Sequence, residues 1–255
     1  MLIEALGQSD DLVLHGALER TGSPALGRDA TAFLGTAGGV LVSDDITATL
    51  TGADVLIDFT QPTGTLAHLQ ACRQLGVGHV IGTTGLDAQG RAAIAEAARD
   101  TAVVFAPNMS VGVNVMLRLV DLATRALAGD YDIEVIEAHH KMKVDAPSGT
   151  ALGLGEVIAK ALARPLDEVG VFERRGHTGA REPGSVGFSV IRGGDIIGDH
   201  TVLYAGTGER LEITHRSGSR TTYAQGALRA ARFLRDKSKG LYDMQAVLGL
   251  DKALN

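Results

Sequence analysis

The sequence predicts an α/β fold in two parts, a parallel-sheet part followed by a mixed α+β part. Up to residue 109, short apolar runs alternate with helical segments. That alternation is typical of a parallel sheet with helices on both faces. Beyond residue 109, strands of alternating polarity and glycine-rich turns replace it. No internal repeat or low-complexity linker separates the two parts.

The predicted elements of the first part follow one another at short intervals. We expect strands over 11–19, 53–60, 78–85 and 101–109, and helices over 65–76 and 87–100. The run ADVLIDFT (53–60) is short and almost continuously apolar, as expected of a strand buried on both faces.

The second part combines long helices with antiparallel strands. Helices are expected over 110–129 and 148–163, and a half-buried strand precedes the second of them, in YDIEVIEAHH. Residues 185–216 predict three antiparallel strands joined by the turns RGGD and AGTGE. A helix over 220–236 and the segment 240–250 complete the pattern.

Composition narrows the class of protein. The chain has 255 residues, 45% of them hydrophobic, and a net charge of −6 without a basic stripe, which disfavours a nucleic-acid partner. No apolar run is long enough to cross a bilayer, and the first ten residues carry no basic segment. The single cysteine, Cys72, excludes an internal disulfide and fits a reducing compartment. These features predict a soluble cytoplasmic protein without a membrane partner.

Small and polar residues follow three successive strands of the first part. The strand ends read DFT (58–60), GTTG (82–85) and APNM (106–109). Ligands bind at the carboxyl ends of parallel strands, although ordinary turn chemistry would also place such residues there. The sequence therefore indicates a ligand site at this edge of the sheet.

The pair Glu19 and Arg20 ends an earlier predicted strand, in GALERTG. In a dinucleotide-binding fold an acidic residue at such a place binds the ribose hydroxyls, and a nearby arginine can hold a 2′-phosphate. The presence of both suggests that NADH and NADPH are both accepted. A solvated surface pair is the alternative.

The glycine-rich turn of a dinucleotide-binding fold has no counterpart before Glu19. That turn should lie about 20 residues before the acidic residue, and no G-x-G-x-x-G occurs in residues 1–18. We therefore expect the first strand of a Rossmann-like sheet to be missing from this chain, and nicotinamide cofactors to bind poorly. This leaves open a non-catalytic ligand-binding or assembly protein that has lost its nucleotide site.

The segment EAHHKMKVDAPSGTA (137–151) concentrates the candidate catalytic residues. Adjacent histidines at a strand end should leave opposite faces, and no cysteine or carboxylate cluster supports them, so a metal site is disfavoured. Ser148 lacks the G-x-S-x-G setting of a hydrolase nucleophile and is typical of a helix N-cap. A proton relay beside an anion site fits best, with His139 as general acid, Lys143 as a cation and a helix start at 148–150. A charged surface loop is the alternative.

The same segment resembles the signature of the 4-hydroxy-tetrahydrodipicolinate reductase (dihydrodipicolinate reductase) family. DVLIDFTQP, VIGTTGL, FAPNMSVGVNV and GERLEITHRSGSR also look like family segments, and the likeness runs through the whole chain. The resemblance implies the reduction of a cyclic imine dicarboxylate with NADH or NADPH, on the lysine and diaminopimelate pathway. It also implies a homotetramer built through the sheets of the mixed domain.

The resemblance assigns roles residue by residue. It implies that His139 is the proton donor and Lys143 the second catalytic residue. The substrate-binding residues that it implies are His140, Ser148, Gly149 and Thr150. The cofactor-binding residues are Glu19, Arg20, Phe59, Thr60, Gly82, Thr83, Thr84, Ala106, Pro107, Asn108 and Met109. Residues 1–109 and 221–255 are then expected to form the dinucleotide-binding domain, and residues 110–220 the substrate-binding and tetramerisation domain.

Overall fold

The computed structural model describes residues 1–251, which form two compact units. The first unit comprises Met1–Val111 together with the chain from Thr221 onward, and the second comprises Gly112–Arg220. The first unit contains a parallel sheet and the second a mixed sheet, which confirms the predicted fold class.

The elements follow one another in chain order. Residues 1–110 form α1 Leu2–Gly7, β1 Ala17–Leu18, a 3₁₀ turn at Ala32–Leu34, β2 Val42–Ser43, α2 Ile46–Leu50, β3 Val55–Asp58, α3 Pro62–Leu75, β4 Gly78–Ile81, α4 Ala88–Ala97 and β5 Ala102–Phe105. Then come α5 Val111–Leu127, β6 Asp132–His139, α6 Gly149–Ala161, α7 Leu166–Val169, β7 Gly170–Val171, β8 Val186–Arg192, β9 Gly198–Ala205 and β10 Arg210–Ser217. The last elements are α8 Thr221–Leu234, β11 Gly240–Tyr242 and α9 Met244–Leu248.

Four parallel strands form the main sheet of the first unit, in the order β11-β5-β4-β3. Alternate residues of β5 face opposite sides, as the pleat requires. Val104 packs with the helix α8 through Leu234, whereas Val103 packs with α4 through Ile94. Helices therefore cover both faces of this sheet.

The strand predicted over 11–19 is wrong for most of its length. Only Ala17–Leu18 is a strand, and it pairs with β2 in a separate two-stranded sheet. A strand requires a partner for its backbone groups, and within residues 1–251 no ladder includes positions 11–16, so Val13 lies 89% exposed. In the part of the chain that the structure describes, β3 pairs only with β4 and is an edge strand.

The helix α3 places two polar side chains, Thr65 and His68, within hydrogen-bonding distance of residues at the ends of β3 and β4. Pro62 lies at its start, where the missing N–H costs nothing, and Gly76 ends it in the left-handed conformation with φ 70°. Its buried residues are Thr65, His68, Leu69 and Cys72. This spacing of three and four residues places them on one face of the helix. The buried Cys72 is thus a core thiol.

The second unit contains a five-stranded sheet in the order β10-β9-β6-β8-β7. β9 and β10 form the predicted antiparallel pair through the turn AGTGE. The prediction that β8 and β9 also pair is wrong, because β6 lies between them, parallel to β8 and antiparallel to β9. Turn residues such as RGGD only reverse the chain, whereas the buried strand β6 needs a neighbour on both edges.

The core of the second unit packs α5 and α6 against one face of its sheet. Val120 of α5 and Leu154 of α6 meet Val135 of β6 and Val202 of β9, and all four are fully buried. This packing holds β6 and the N-terminus of α6 in fixed positions. Among residues 1–251, no helix has both the length and the apolar character needed to span a bilayer.

Candidate active site

Two residues of β6, Glu137 and His139, point to the same face of the second unit's sheet. Their spacing of two residues along a strand requires this orientation. His139 Nδ1 lies 2.6 Å from Glu137 Oε2, and both side chains are buried. The other ring nitrogen, Nε2, is therefore the atom of His139 that is left to exchange a proton.

Glu137 is an ionised carboxylate surrounded by donors. Arg192 donates to both of its oxygens, from Nη1 at 2.7 Å and Nη2 at 2.8 Å, and the Ser148 N–H donates to Oε1 at 3.0 Å. Burial by itself would raise the pKa of Glu137, but the hydrogen bonds from Arg192, His139 and Ser148 outweigh it and lower the pKa. Because the carboxylate can only accept, His139 Nδ1 carries the proton of their hydrogen bond.

Ser148 joins this group to a second histidine. Its hydroxyl accepts from the Ala151 N–H as the N-cap of α6, which confirms the predicted cap, and it lies 3.1 Å from His200 Nε2. The His200 ring stands edge-on to His139, with centroids 5.1 Å apart. Burial, and next the neighbouring His139, lower the pKa of His200 to about 4, so His200 is neutral near pH 7.

In the loop between β6 and α6, the half-buried Lys143 pairs with the exposed Asp145. Lys143 Nζ donates to both oxygens of Asp145, at 2.7 and 2.9 Å, and the hydrogen bond from Lys143 lowers the pKa of Asp145. Arg192 also donates to the Asp145 carbonyl, which ties the loop to the buried group. An ion pair this exposed is weak, so an anionic ligand can replace Asp145 beside Lys143.

The structure thus brings some of the candidate residues of the second unit together. His139 and Ser148 meet in the buried group, and Gly149 and Thr150 follow in the first turn of α6. His140 is half-buried immediately beyond β6, and the Lys143 ammonium instead pairs with Asp145.

Sequence analysis missed Glu137, Arg192, His200 and Asp145. The spacing Glu-x-His on a predicted strand could have identified Glu137, since both side chains must share a face. Arg192 and His200 carry no such local signal, because β8 and β9 reach β6 only through the register of the sheet.

The predicted cofactor residues that follow β3, β4 and β5 lie at one edge of the main parallel sheet. Asp58 is in register with Ile81, and Ile81 with Phe105, so the three strand ends lie side by side. The Phe59 ring, 42% exposed, covers Gly82 so closely that a Cβ on this glycine would overlap it. Gly82 is thus required for this arrangement.

The two threonines after Gly82 point in different directions. Thr84 is exposed, whereas the Thr83 side chain is buried and accepts a hydrogen bond from the Thr65 hydroxyl at 2.7 Å. Beyond the third strand, Met109 is buried beneath α8, with its carbonyl against Gly226. The backbone of these segments is therefore tightly held.

Glu19 and Arg20 follow β1 directly, and both are exposed. The Arg20 N–H donates to Glu19 Oε1 at 2.8 Å, which turns the carboxylate back toward the backbone at the end of β1. Leu18, the residue before them, packs in the same cluster as Leu56 of β3. The pair is therefore anchored to the core that supports the main sheet.

Known proteins match almost the whole length of this chain. Family models of dihydrodipicolinate reductase match residues 1–109 with the N-terminal part and residues 112–248 with the C-terminal part. A 4-hydroxy-tetrahydrodipicolinate reductase of Cupriavidus taiwanensis is 61% identical over 250 residues, which cover 98% of this chain and 94% of the relative. The reductase of Nitrosospira multiformis is 58% identical, covering 98% and 93%.

A solved structure supports the fold. A dipicolinate-bound dihydrodipicolinate reductase from Paenisporosarcina sp. TG-14 superposes with a TM-score of 0.77, at 23% identity, covering 96% of this chain and 93% of the other. The family models and the highly identical relatives, rather than this distant likeness, decide the classification. The chain belongs to the dihydrodipicolinate reductase family.

Proposed function

We propose that this chain reduces 4-hydroxy-tetrahydrodipicolinate, a cyclic imine dicarboxylate, to tetrahydrodipicolinate in lysine and diaminopimelate biosynthesis, with the 4-hydroxyl leaving as water. Relatives about 60% identical carry the name of this reductase. The observation in the structure that carries the proposal is the Glu137–His139 pair, beside the start of α6 and the Lys143 loop. A positioned acid next to cations and helix N–H groups suits an anion that must be protonated.

The first unit fits a nicotinamide cofactor at the carboxyl edge of its sheet. Phe59 offers an exposed ring over a glycine, and Thr60 and Thr84 offer hydroxyls at the neighbouring strand ends. The complete set of residues that would hold the cofactor is Glu19, Arg20, Phe59, Thr60, Gly82, Thr83, Thr84, Ala106, Pro107, Asn108 and Met109. A reduced nicotinamide would supply the hydride, and the pair suits both cofactors, Glu19 a free ribose and Arg20 a 2′-phosphate. The match of residues 1–109 to the N-terminal family model supports such a cofactor in spite of the missing glycine-rich turn, against the expectation of poor binding.

The second unit holds the dicarboxylate. His140, Ser148, Gly149 and Thr150 bind its carboxylates, since Gly149 is exposed at the N-terminus of α6, where the helix dipole favours anions. Lys143 leaves Asp145 and pairs with the substrate. Its charge then also stabilises the electron pair that moves onto the ring nitrogen as the substrate is reduced.

His139 supplies the proton from Nε2. Glu137 holds Nδ1 and stabilises the positive charge of the protonated ring, while Arg192 keeps Glu137 ionised and in place. His200, which is neutral, adds no competing charge beside the donor. After the reaction, solvent returns the proton to His139, whose side chain is 11% exposed.

The protein acts as a homotetramer assembled through the sheet of the second unit. The supporting observation is that β8 and β10 expose apolar residues, Val190, Ile191 and Leu211, at 39%, 52% and 42%. Such residues on strands are suited to pairing with other copies. Sedimentation equilibrium tests this assembly directly, and a monomer at micromolar concentration would contradict it.

The decisive test is a spectrophotometric assay of NADH and NADPH oxidation with substrate made by a coupled synthase. His139→Gln should lower kcat by ~10²–10⁴-fold, the range typical of a lost proton-transfer group. Its dissociation constant for NADH should stay within about twofold of wild type, because the change lies in the other unit. Failure of the wild-type chain to bind either cofactor would instead favour the non-catalytic ligand-binding or assembly protein.

A further inference from the structure

We propose that Thr65, a buried residue that cannot itself touch a ligand, is a positioning residue for the nicotinamide cofactor. It acts through its hydrogen bond to Thr83 and its contact with Thr60, whose own hydroxyl proton goes to the carboxylate of Asp58. The inference rests on the proposed function, because it takes the carboxyl edge of the first unit's sheet as the cofactor site.

Asp58, the last residue of β3, has four donors around its carboxylate. Oδ1 accepts from the Thr60 N–H at 2.8 Å and from the Thr60 hydroxyl at 2.6 Å. Oδ2 accepts from His68 Nδ1 at 2.9 Å and from His79 Nε2 at 3.3 Å. Two buried imidazoles thus bind Oδ2, while Oδ1 binds Thr60, just beyond the end of β3.

Neighbouring side chains keep the Asp58 carboxylate ionised. Burial would raise the pKa of Asp58, but the hydrogen bonds from His68, His79 and Thr60 lower it far below its usual value. Burial lowers the pKa of His79, so its ring is neutral and gives its one proton to Asp58. Because Nε2 faces the carboxylate, His79 Nδ1 points away from it and has no hydrogen-bond partner among the described residues.

The consequence at the edge is a fixed turn. The two bonds from Thr60 to Oδ1 fold the backbone beyond β3 into a tight turn. The Gly82 N–H donates to the Asp58 carbonyl at 2.8 Å, which ties the end of β3 to the end of β4. These bonds hold the exposed Phe59 ring over Gly82.

Thr65 connects the segment after β3 with the segment after β4. Its hydroxyl donates to Thr83 Oγ1 at 2.7 Å and lies 3.4 Å from Thr60 Oγ1. Because Thr65 supplies the proton of this bond, Thr83 is the acceptor, and the bond fixes the buried Thr83 beside the exposed Thr84. Thr65 is fully buried on α3, so its effect on a ligand must pass through these two neighbours.

A purely structural role for Thr65 would predict lost stability without any effect on one ligand in particular. A positioning role predicts that the Michaelis constant for the cofactor rises while that for the substrate does not. A variant that keeps the hydroxyl should also recover the cofactor constant. The two roles are thus separable by kinetics on the full-length chain.

The test compares Thr65→Val, which keeps the shape, with Thr65→Ser, which keeps the hydroxyl. We expect Thr65→Val to raise the KM and the dissociation constant for NADH by about five- to tenfold, the effect of one hydrogen bond. The KM for the dicarboxylate should stay within about twofold, and Thr65→Ser should recover most of the loss. NADH fluorescence measures binding independently of turnover.

Thr124→Val is the matched control, because Thr124 is an equally buried threonine of the second unit, bonded to Val120 O and Tyr204. It should lower the melting temperature without changing the NADH constants. Asp58→Asn is the second variant if Thr65→Val does not fold: its amide cannot accept from Thr60 and both histidines together, so the cofactor KM should again rise alone.

Unchanged NADH constants in Thr65→Val, or equal losses in Thr65→Val and Thr65→Ser, would overturn the inference. If the wild-type chain binds NADH and NADPH, and Thr65→Val has the same dissociation constants, this inference is refuted and the proposed function is not. A wild-type chain that binds neither would refute the proposed function, and the inference with it.

Discussion

His139 donates a hydrogen bond from Nδ1 to Glu137 Oε2 across 2.6 Å, and Arg192 grips the same carboxylate with two nitrogens. The ring of the proposed proton donor is therefore oriented by a residue that is 1% exposed. Orientation of this kind fixes both which nitrogen meets the substrate and where it lies.

We expect Glu137→Gln to lower kcat on the order of 10²-fold, the cost of misplacing a reacting group by about 1 Å. The amide removes the negative charge that faces Arg192, and its NH₂ can turn toward His139, which favours the wrong tautomer. The pH profile of kcat should shift with it, whereas the KM for NADH should not. Steady-state kinetics across neutral pH measure both, and an unchanged pH profile would speak against this positioning role.

Asp145 competes with the substrate for Lys143. Asp145→Asn removes one charge of an exposed ion pair worth less than about 1 kcal/mol, so we expect the KM for the dicarboxylate to fall by no more than about fivefold. The Arg192 bond to residue 145 uses the backbone carbonyl and survives the change. Initial rates at varied substrate concentration provide the check. A raised KM would show that Asp145 supports Lys143 rather than opposing substrate.

The strand end at Glu19 and Arg20 should decide between the two cofactors. Arg20→Ala should raise the KM for NADPH, because it removes a cation suited to the 2′-phosphate, and leave NADH nearly unaffected. Glu19→Ala should instead raise the KM for NADH, whose ribose hydroxyls lose an acceptor. Kinetics of each variant with both cofactors test this, and parallel losses for both cofactors would show that the pair lies elsewhere relative to the ribose.

His200 should make the protein less stable as the pH falls. Its pKa is about 4 in the folded chain against an ordinary value of 6.5, so between these values the unfolded chain binds a proton that the folded chain does not. The stability is present above pH 6.5 and is lost progressively toward pH 4. The loss from this one group amounts to about 2 kcal/mol between about pH 7 and about pH 5.

Urea unfolding of wild type and His200→Gln at about pH 7 and about pH 5 measures that loss. The difference between the two proteins cancels the similar contributions of His79 and His215, whose pKa values burial also lowers. The free energy of unfolding should fall by less in the variant. Equal pH dependence in both proteins would be inconsistent with a neutral, buried His200.

Gly226 of α8 packs directly against the carbonyl of Met109, so that a Cβ would overlap backbone. Gly226→Ala should destabilise the protein by about 1–3 kcal/mol, because the helix must move away from the strand end. Gly153→Ala is the control, since that helical glycine of α6 has open space around it. The control should be neutral or stabilising by up to about 1 kcal/mol. Equal thermal melting of both variants would contradict the close packing.

Much of the first unit could be predicted from local pattern. Short apolar runs and the alternating helices predicted β3, β4, β5 and the helices between them. Burial on both faces explains the continuous apolar runs of β4 and β5. The edge strand β3 is instead only half-buried at Val55, Leu56 and Ile57, so the expectation that it is buried on both faces is wrong. Residues 11–16 show the limit of such patterns. Their apolar character resembles that of a strand, but strand formation depends on a partner for the backbone, which no local property supplies.

The candidate site divides in the same way. His139, Lys143 and the Ser148 cap could be identified within one short segment, 137–151, because their chemistry and spacing are local. The placement of β8 and β9 on opposite sides of β6 could not, since turns specify a reversal and not a neighbour.

The sequence by itself determined the two-part α/β class, the family resemblance and the segment that carries the proposed proton donor. Only the tertiary structure decided which groups that donor meets. Arg192 lies 55 residues from Glu137, and His200 lies 52 residues from Ser148. The physical reason is that sheet register is set by the packing of whole strands against α5 and α6, and register alone brings such distant side chains within hydrogen-bonding distance.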